Sequence, residues 1–414
     1  MSPTFTSLRV PNYRRYFTGM LVSNTGTWMQ RVAQDWLVLQ LTHGNGTWLG
    51  IVTALQFLPV PLFGPAGGLL ADRVPKRRIL FATNTFMGLM AAILGTLTLS
   101  GAVHVWEVAA LAFGLGLATA ADNPARQSFV VEMVGPTDLT NAVALNSASF
   151  NSARLIGPGV AGLLIEVLGG TGWLFVLNAL SYAAPLVALA RMRPQELNPA
   201  ARAPRGRGQV REGIRYVRSR PDLVAVLAVA FFTGTFGMNF QITNALMATQ
   251  VFGKGAGQYG VLGSVLAAGS LAGALIAARR RTTRVRLVII SAVAFGCIEV
   301  VVGLMPNYLW YALMLPPAGI ASMTTMNAVN STIQLSVDPV MRGRVMALYL
   351  AVFFGGTPIG SPMVGWLAEH YGPRWSLIGG GLITAVAAAG CALVLARRTG
   401  TLRPRREPAV ACAG

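Results

Sequence analysis

Polar breaks divide the chain into twelve apolar stretches, each long enough to cross about 30 Å of hydrocarbon as a helix of roughly 20 residues. They run near 16–41, 47–71, 79–100, 105–128, 140–168, 172–191, 222–250, 258–278, 286–305, 308–336, 343–369 and 374–396. Gly and Pro inside many of them are compatible with membrane helices, because neighbouring helices re-satisfy the freed backbone groups. Composition agrees that lipid is the solvent. Hydrophobic residues make up 53% and charged residues 11%, against about 25% charged in an ordinary soluble domain. A soluble fold of this size has no means of hiding that much apolar surface.

Lys and Arg number 33 against 14 Asp and Glu, a formal charge of +19. Such an excess suits either nucleic-acid binding or a membrane protein with basic cytoplasmic loops, and position decides between them. Arg9, Arg14 and Arg15 precede the first stretch, Arg73, Lys76, Arg77 and Arg78 follow the second, and Arg126 follows the fourth. Nine arginines from Arg191 to Arg220 follow the sixth; Arg279, Arg280, Arg281, Arg284 and Arg286 follow the eighth; Arg342 and Arg344 follow the tenth, and five more lie beyond the last. All these breaks share one side, and the other side holds only Lys254 and Arg374. The positive-inside rule therefore puts both termini and the central break in the cytoplasm of a multi-pass cell-membrane protein. Nucleic-acid binding loses its support. The first stretch is too polar and starts too late for a cleaved signal peptide. Cys297, Cys391 and Cys412, and His43, His104 and His370, show no ligand spacing, so neither a metal nor any other cofactor is expected.

The two halves repeat. Gly157-Pro158-Gly159-Val160-Ala161-Gly162 through Glu166 and Gly169 lies over Gly360-Ser361-Pro362-Met363-Val364-Gly365 through Glu369 and Gly372 at a constant offset of 203. Thr25-Gly26-Thr27-Trp28 matches Thr233-Gly234-Thr235-Phe236 at 208. The expected organisation is a six-helix bundle over 1–191, a basic linker over 192–221, a second bundle over 222–396 and a tail over 397–414. Two parallel repeats imply a substrate site near the midplane between them, reached alternately from each side.

Between the second and third stretches stands Gly68-Leu69-Leu70-Ala71-Asp72-Arg73-Val74-Pro75-Lys76-Arg77-Arg78. It resembles the signature loop of the major facilitator superfamily, with Pro75 replacing its second Gly. Gly68 would let two helices approach closely, and Asp72, with Arg73, Lys76 and Arg77, would latch the facing bundle by pairing with a cation or capping a helix. The second half has Ala277 where Asp72 stands, so such a latch is asymmetric. Residues 123–134, Trp28 to Leu37 and Arg154 to Pro158 are similar to the branch containing enterobactin-type siderophore exporters and actinobacterial drug efflux pumps. The resemblance implies an all-α membrane protein of twelve transmembrane helices in two pseudo-symmetric bundles, exporting a drug-like hydrophobic or amphipathic molecule, or a siderophore, against proton entry. Gly157, Pro158 and Gly162 resemble the antiporter motif of drug/proton exchangers, where they thin and kink the helix; packing alone is the other reading. The mid-membrane Arg that many such exchangers carry on helix four has no counterpart at that depth, so their coupling scheme does not transfer.

Ionisable residues inside spans are functional candidates by default. Arg31 and Asp35 lie four apart on one face of the first helix, close enough to pair, Arg154 lies mid-way along the fifth, and Glu299 in the outer half of the ninth. Asp35 is the expected proton carrier, with Arg31 and Arg154 competing for it; a permanent Arg31–Asp35 ion pair is the alternative. Glu299 is expected to face the aqueous mouth, and Asp122 and Glu132 to cap or latch helix four at the cytoplasmic face. Cavity candidates are Asn24, Trp28, Gln34, Phe236, Asn239, Gln241, Asn244, Asn327 and Asn330. The expectation is a secondary exporter working as a monomer, whose partners are cargo, protons and lipid. A transport-inactive sensor is the reading from a different class. An enzyme is disfavoured, since no nucleophile with its base, phosphate loop or metal constellation is present.

Overall fold

The computed structural model describes residues 3–198, 209–280 and 285–399. Arg202, Arg205, Arg207, Arg281 and Arg284, and the tail beyond 399 with Cys412, lie outside the described residues. Among the described residues twelve membrane-length helices follow one another: α1 Pro11–Leu41, α2 Gly46–Arg73, α3 Lys76–Leu99, α4 105–134, α5 136–167, α6 Gly172–Ala190, α7 Pro221–Val251, α8 Ala256–Ala278, α9 Val285–Leu304, α10 Tyr308–Ser336, α11 Pro339–Tyr371 and α12 Pro373–Thr399. The helical class and the count of twelve expected from the apolar pattern are borne out. α1 and α10 fall short of the apolarity of a membrane span on composition alone; they carry polar side chains into the interior. α4 and α5 are parted only by Gly135, whose φ of 68° a side chain adopts poorly. One boundary moves as a result: α4 runs on to 134 instead of ending near 128, so Arg126, expected in the basic break after the fourth stretch, lies well inside the helix.

Helices α1–α6 and α7–α12 form the two halves, which meet through α2 against α11 and α5 against α8. These crossings use one design twice. The carbonyl of Pro158 in α5 abuts Gly260 in α8, and the carbonyl of Ala256 abuts Gly162. The carbonyl of Ser361 in α11 abuts Gly50 in α2, and that of Gly46 abuts Gly365. Each position maps onto its equivalent by the offset of 203, or by 210 between α2 and α8. A Cβ at any of the four glycines would overlap backbone. Glycine here is a condition of close approach. Gly260→Val should therefore force α5 from α8 at a cost of about 1–3 kcal/mol, read as a lower melting temperature in detergent; an unchanged value would contradict the packing described.

The same ends carry a second symmetric contact. Glu166 accepts from the backbone N–H of Gly257, the second residue of α8, at 2.9 Å. Glu369 accepts from the N–H of Thr47, the second residue of α2, at 3.2 Å, from its hydroxyl, and from Asn45 Nδ2 at 2.7 Å. Both carboxylates thus sit on helix N-termini of the other half, where the dipole favours them.

The opposite end of the molecule, here the basic face, is built differently. Gly64 and Gly68 in α2 and Gly343 and Gly355 in α11 have open space where a Cβ would stand. One hydrophobic core, including Leu37, Ala161, Leu246, Tyr259 and Val364, crosses both halves away from the basic face. Toward that face the buried clusters stay within one half, the larger ones around Tyr13, Leu80 and Phe129 and around Leu223, Val288 and Val345. The halves are sealed on one side and parted on the basic side.

The linker contributes the amphipathic helix Gln209–Arg218. It rests on the second half, where Glu212 pairs with Arg344 at 2.8 Å and the Tyr216 hydroxyl donates to Asp338 at 3.1 Å.

Candidate functional site

Along α1, Trp28, Arg31 and Asp35 recur at intervals of three and four residues and so share one face. That face lines a cavity of ≈ 230 Å³ between the halves, closed by Arg154 and Pro158 of α5, Gln241 and Asn244 of α7 and Tyr259 of α8. Asp35 is 1% exposed. It forms no ion pair with Arg31, contrary to the pairing their spacing suggested, because both its oxygens are engaged across the interface. Gln241 Nε2 donates to Oδ1 at 2.9 Å and the Tyr259 hydroxyl donates to Oδ2 at 2.7 Å. A carboxylate from the first half is therefore held by two donors from the second.

The arginines lie on the other side of this arrangement. Their guanidinium carbons stand over the Trp28 ring, 4.6 Å from its centroid for Arg31 and 5.8 Å for Arg154, and Arg31 also lies 5.5 Å from the Phe57 ring centroid. Cation–π attraction of this kind is worth about 0.5–2 kcal/mol. Arg31 Nε is buried without a hydrogen-bond partner.

A second cavity of ≈ 280 Å³ lies wholly within the first half and shares Arg31 with the central one. Asn24 lines it, as do Gln30, Asn123, Gln127 and Asn146. Asp122, expected to cap or latch helix four, is instead buried here at 1% exposure, bonded to Thr83 at 2.8 Å, to Asn84 at 3.3 Å and to Arg126. α4 runs farther than the apolar pattern indicated, which leaves this pair inside the bundle.

Several expected cavity residues lie elsewhere. Gln34 is buried against Gln56, donating to it at 3.1 Å. Asn239 ties α7 to α11, accepting from Ser361 at 3.1 Å while donating to the Thr235 carbonyl at 2.7 Å. Phe236 lines a separate groove with Thr47, Pro362 and Trp366. Asn327 lines a pocket of ≈ 270 Å³ beside Arg280, and Asn330 bonds Gln334 one turn along α10. α7 contains the π-helical turns Thr233–Gly237 and Met247–Val251; each adds a residue per turn and rotates the faces that a regular period assigns. Trp28, Gln241 and Asn244 are the expected residues that the central cavity brings together with Asp35, Arg31 and Arg154.

Glu299 does not face the aqueous mouth. It is 2% exposed within the second half, beside Gly237 and Gly380, and its Oε2 has no hydrogen-bond partner. The signature loop also differs from expectation. Gly68 makes no close approach, and its neighbour Gly67 does so instead, against the Ala120 carbonyl within the same half. Lys76 pairs with Glu132 at 2.6 Å, and Arg77 donates to the carbonyls of Leu189 and Ala190 at the end of α6. Lys76 and Arg77 thus brace their own bundle in this state, and Glu132 serves α3 rather than capping α4. Glu166 and Glu369 make carboxylate-on-helix contacts on the opposite face. Gly157 admits the Trp28 side chain, and Gly162 and Pro158 form the α5–α8 crossing.

The sequence reading missed Glu166, Glu369 and Tyr259 as functional. The two glutamates stood in register in the repeat, and that was the available signal. Nothing around Tyr259 distinguished it.

A family model described as transmembrane secretion effector, of the major facilitator type, matches residues 2–406. The staphyloferrin A transporter of Staphylococcus aureus is 31% identical over a segment covering 37% of this chain and 38% of that protein. Macrolide efflux protein A of Streptococcus pyogenes is 24% identical, covering 86% of this chain and 90% of that protein. Among solved structures, a bacterial homologue of the human lysosomal transporter Spinster, inward-facing and unoccupied, superposes with a TM-score of 0.74 at 17% identity over 95% of this chain and 97% of that one.

Proposed function

The chain belongs to the transmembrane secretion effectors of the major facilitator superfamily, so it is a membrane transporter and not an enzyme, and from that membership we propose that it exports an amphipathic small molecule in exchange for protons. The observation that carries the exchange is Asp35, a buried carboxylate of one half held by Gln241 and Tyr259 of the other. Protonation removes the charge those donors serve, and the charge-assisted bonds weaken. The sealed side then parts more readily, with the proton and the opening linked through one residue.

In this reading the basic face is cytoplasmic, as the positive-inside rule requires, and the described state is open toward the cytoplasm to receive cargo. The protein lies in the cell membrane and works as a single chain, because the cavity is complete within one copy. Macrolide efflux by one relative supports a drug-like cargo. A siderophore is the second reading, supported by the staphyloferrin A transporter.

The test is accumulation in inside-out vesicles with an acidified lumen, using erythromycin and ethidium as probes alongside a panel of amphipathic acids. Expressing vesicles should accumulate at least one probe and lose it when the pH gradient is collapsed. Accumulation indifferent to the gradient would refute proton exchange. If Glu299→Gln abolished the response and Asp35→Asn did not, the proton carrier would be reassigned to the second half.

A further inference from the structure

The central cavity holds two guanidinium groups and one carboxyl, and their hydrogen bonding is unequal. Asp35 uses both oxygens on Gln241 and Tyr259. Among the described residues, Arg31 and Arg154 meet no carboxylate within ion-pairing distance and donate no hydrogen bond, although both line the cavity and Arg31 Nε is buried. Arginine stays charged at any physiological pH, so two cations face one carboxyl and the cavity is net cationic whether or not Asp35 holds a proton. The adjoining cavity supplies no balancing anion, since its Asp122 is already paired with Arg126.

Unpaired guanidinium groups at membrane depth are costly to keep, and their planar fork of donors matches a carboxylate. Around them the wall is apolar and aromatic: Trp28, Phe57, Met238, Phe240 and Leu266. Building on the export reading, we propose that the cargo is an amphipathic carboxylate, whose anionic group is clamped by Arg31 and Arg154 and whose apolar body lies against Trp28 and Phe57. The clamp joins α1 to α5 within the first half, so cargo would bind there without relying on the Asp35 contacts that hold the halves together.

The charge balance has a consequence. One monoanion leaving and one proton entering both move positive charge inward, so each cycle is electrogenic and is driven by a negative-inside potential as well as by the pH gradient. Exchange of a monocation for one proton would be electroneutral.

The experiment is calorimetric titration of the full chain in nanodiscs with 1-naphthoate and 1-pyrenebutyrate, each set against its uncharged amide and the amine of the same ring. At least one carboxylate should bind about tenfold tighter than its amide and amine. Arg31→Gln and Arg154→Gln should each weaken it about tenfold, the loss expected for a charge-assisted bond, and Arg154→Lys should restore part of it. Melting temperatures of the variants confirm folding. Amides or amines binding as tightly, or carboxylate binding no stronger than in the Arg31→Gln/Arg154→Gln double variant, would overturn the proposal. Carboxylate binding that obeys these rules without pH-driven transport in vesicles would leave the clamp standing and overturn the export reading instead.

Discussion

Asp35→Asn should reduce pH-gradient-driven transport in proteoliposomes to the level of empty liposomes, with cargo binding from the basic face retained. Asn keeps the shape and one acceptor oxygen, so Gln241 or Tyr259 retains a partner. It loses the charge, and hydrogen bonds to charged groups are worth about 1.5–3 kcal/mol against 0.5–1.5 for neutral ones. The contact between halves weakens as it does on protonation, and no proton can be taken up to alternate between strong and weak forms. Counterflow, which needs no gradient, should survive. Tyr259→Phe separates the two roles: it leaves the carboxyl in place and removes one tie, so gradient-driven transport should persist with altered turnover. Asp35→Glu should restore part of the coupling. Wild-type gradient-driven rates in the Asn variant would remove Asp35 from the mechanism.

The next largest effect is expected from the two glutamates on the sealed face. Each carboxylate at a helix N-terminus contributes about 0.3–2 kcal/mol, and both act on the same equilibrium, because the face cannot part without breaking both. Glu166→Ala with Glu369→Ala should therefore raise the population open on that face about tenfold. A membrane-impermeant maleimide added from that side would report it through Ser322→Cys in the central cavity, with Cys297, Cys391 and Cys412 first replaced by Ser. Single variants should each give part of the effect. Equal labelling in the double variant and the parent would show that the glycine crossings hold the seal unaided.

Much of this architecture was legible in the sequence because lipid imposes its own pattern. Apolar runs of fixed length gave the helices. The repeat anticipated the pairing of the halves. The spacing of Arg31 and Asp35 placed both on one face of the first helix, yet spacing along one helix says nothing of a competitor on another. Tyr259 and Gln241 come from the far half and take both carboxylate oxygens. The π-helical turns of α7 shift the face carrying Phe236 and Asn239, and these two cavity candidates lie away from the central cavity. The signature loop named a helix-capping carboxylate at one end of the molecule. Glu166 and Glu369 bring the same chemistry to the other end, and a single sequence does not say which conformation it occupies.

The matched contacts of Glu166 on α8 and Glu369 on α2 also bear on ancestry. When two identical subunits meet about a two-fold axis, every contact occurs twice, residue i of one touching residue j of its partner and the reverse. The seal has that form within one chain, down to the same helix position receiving each carboxylate. In a six-helix forebear pairing with its own copy, one glutamate would have closed both seams of the homodimer. Gene fusion would then have freed the two copies to diverge, so that Asp35 and the Asp72 loop persist on one side alone.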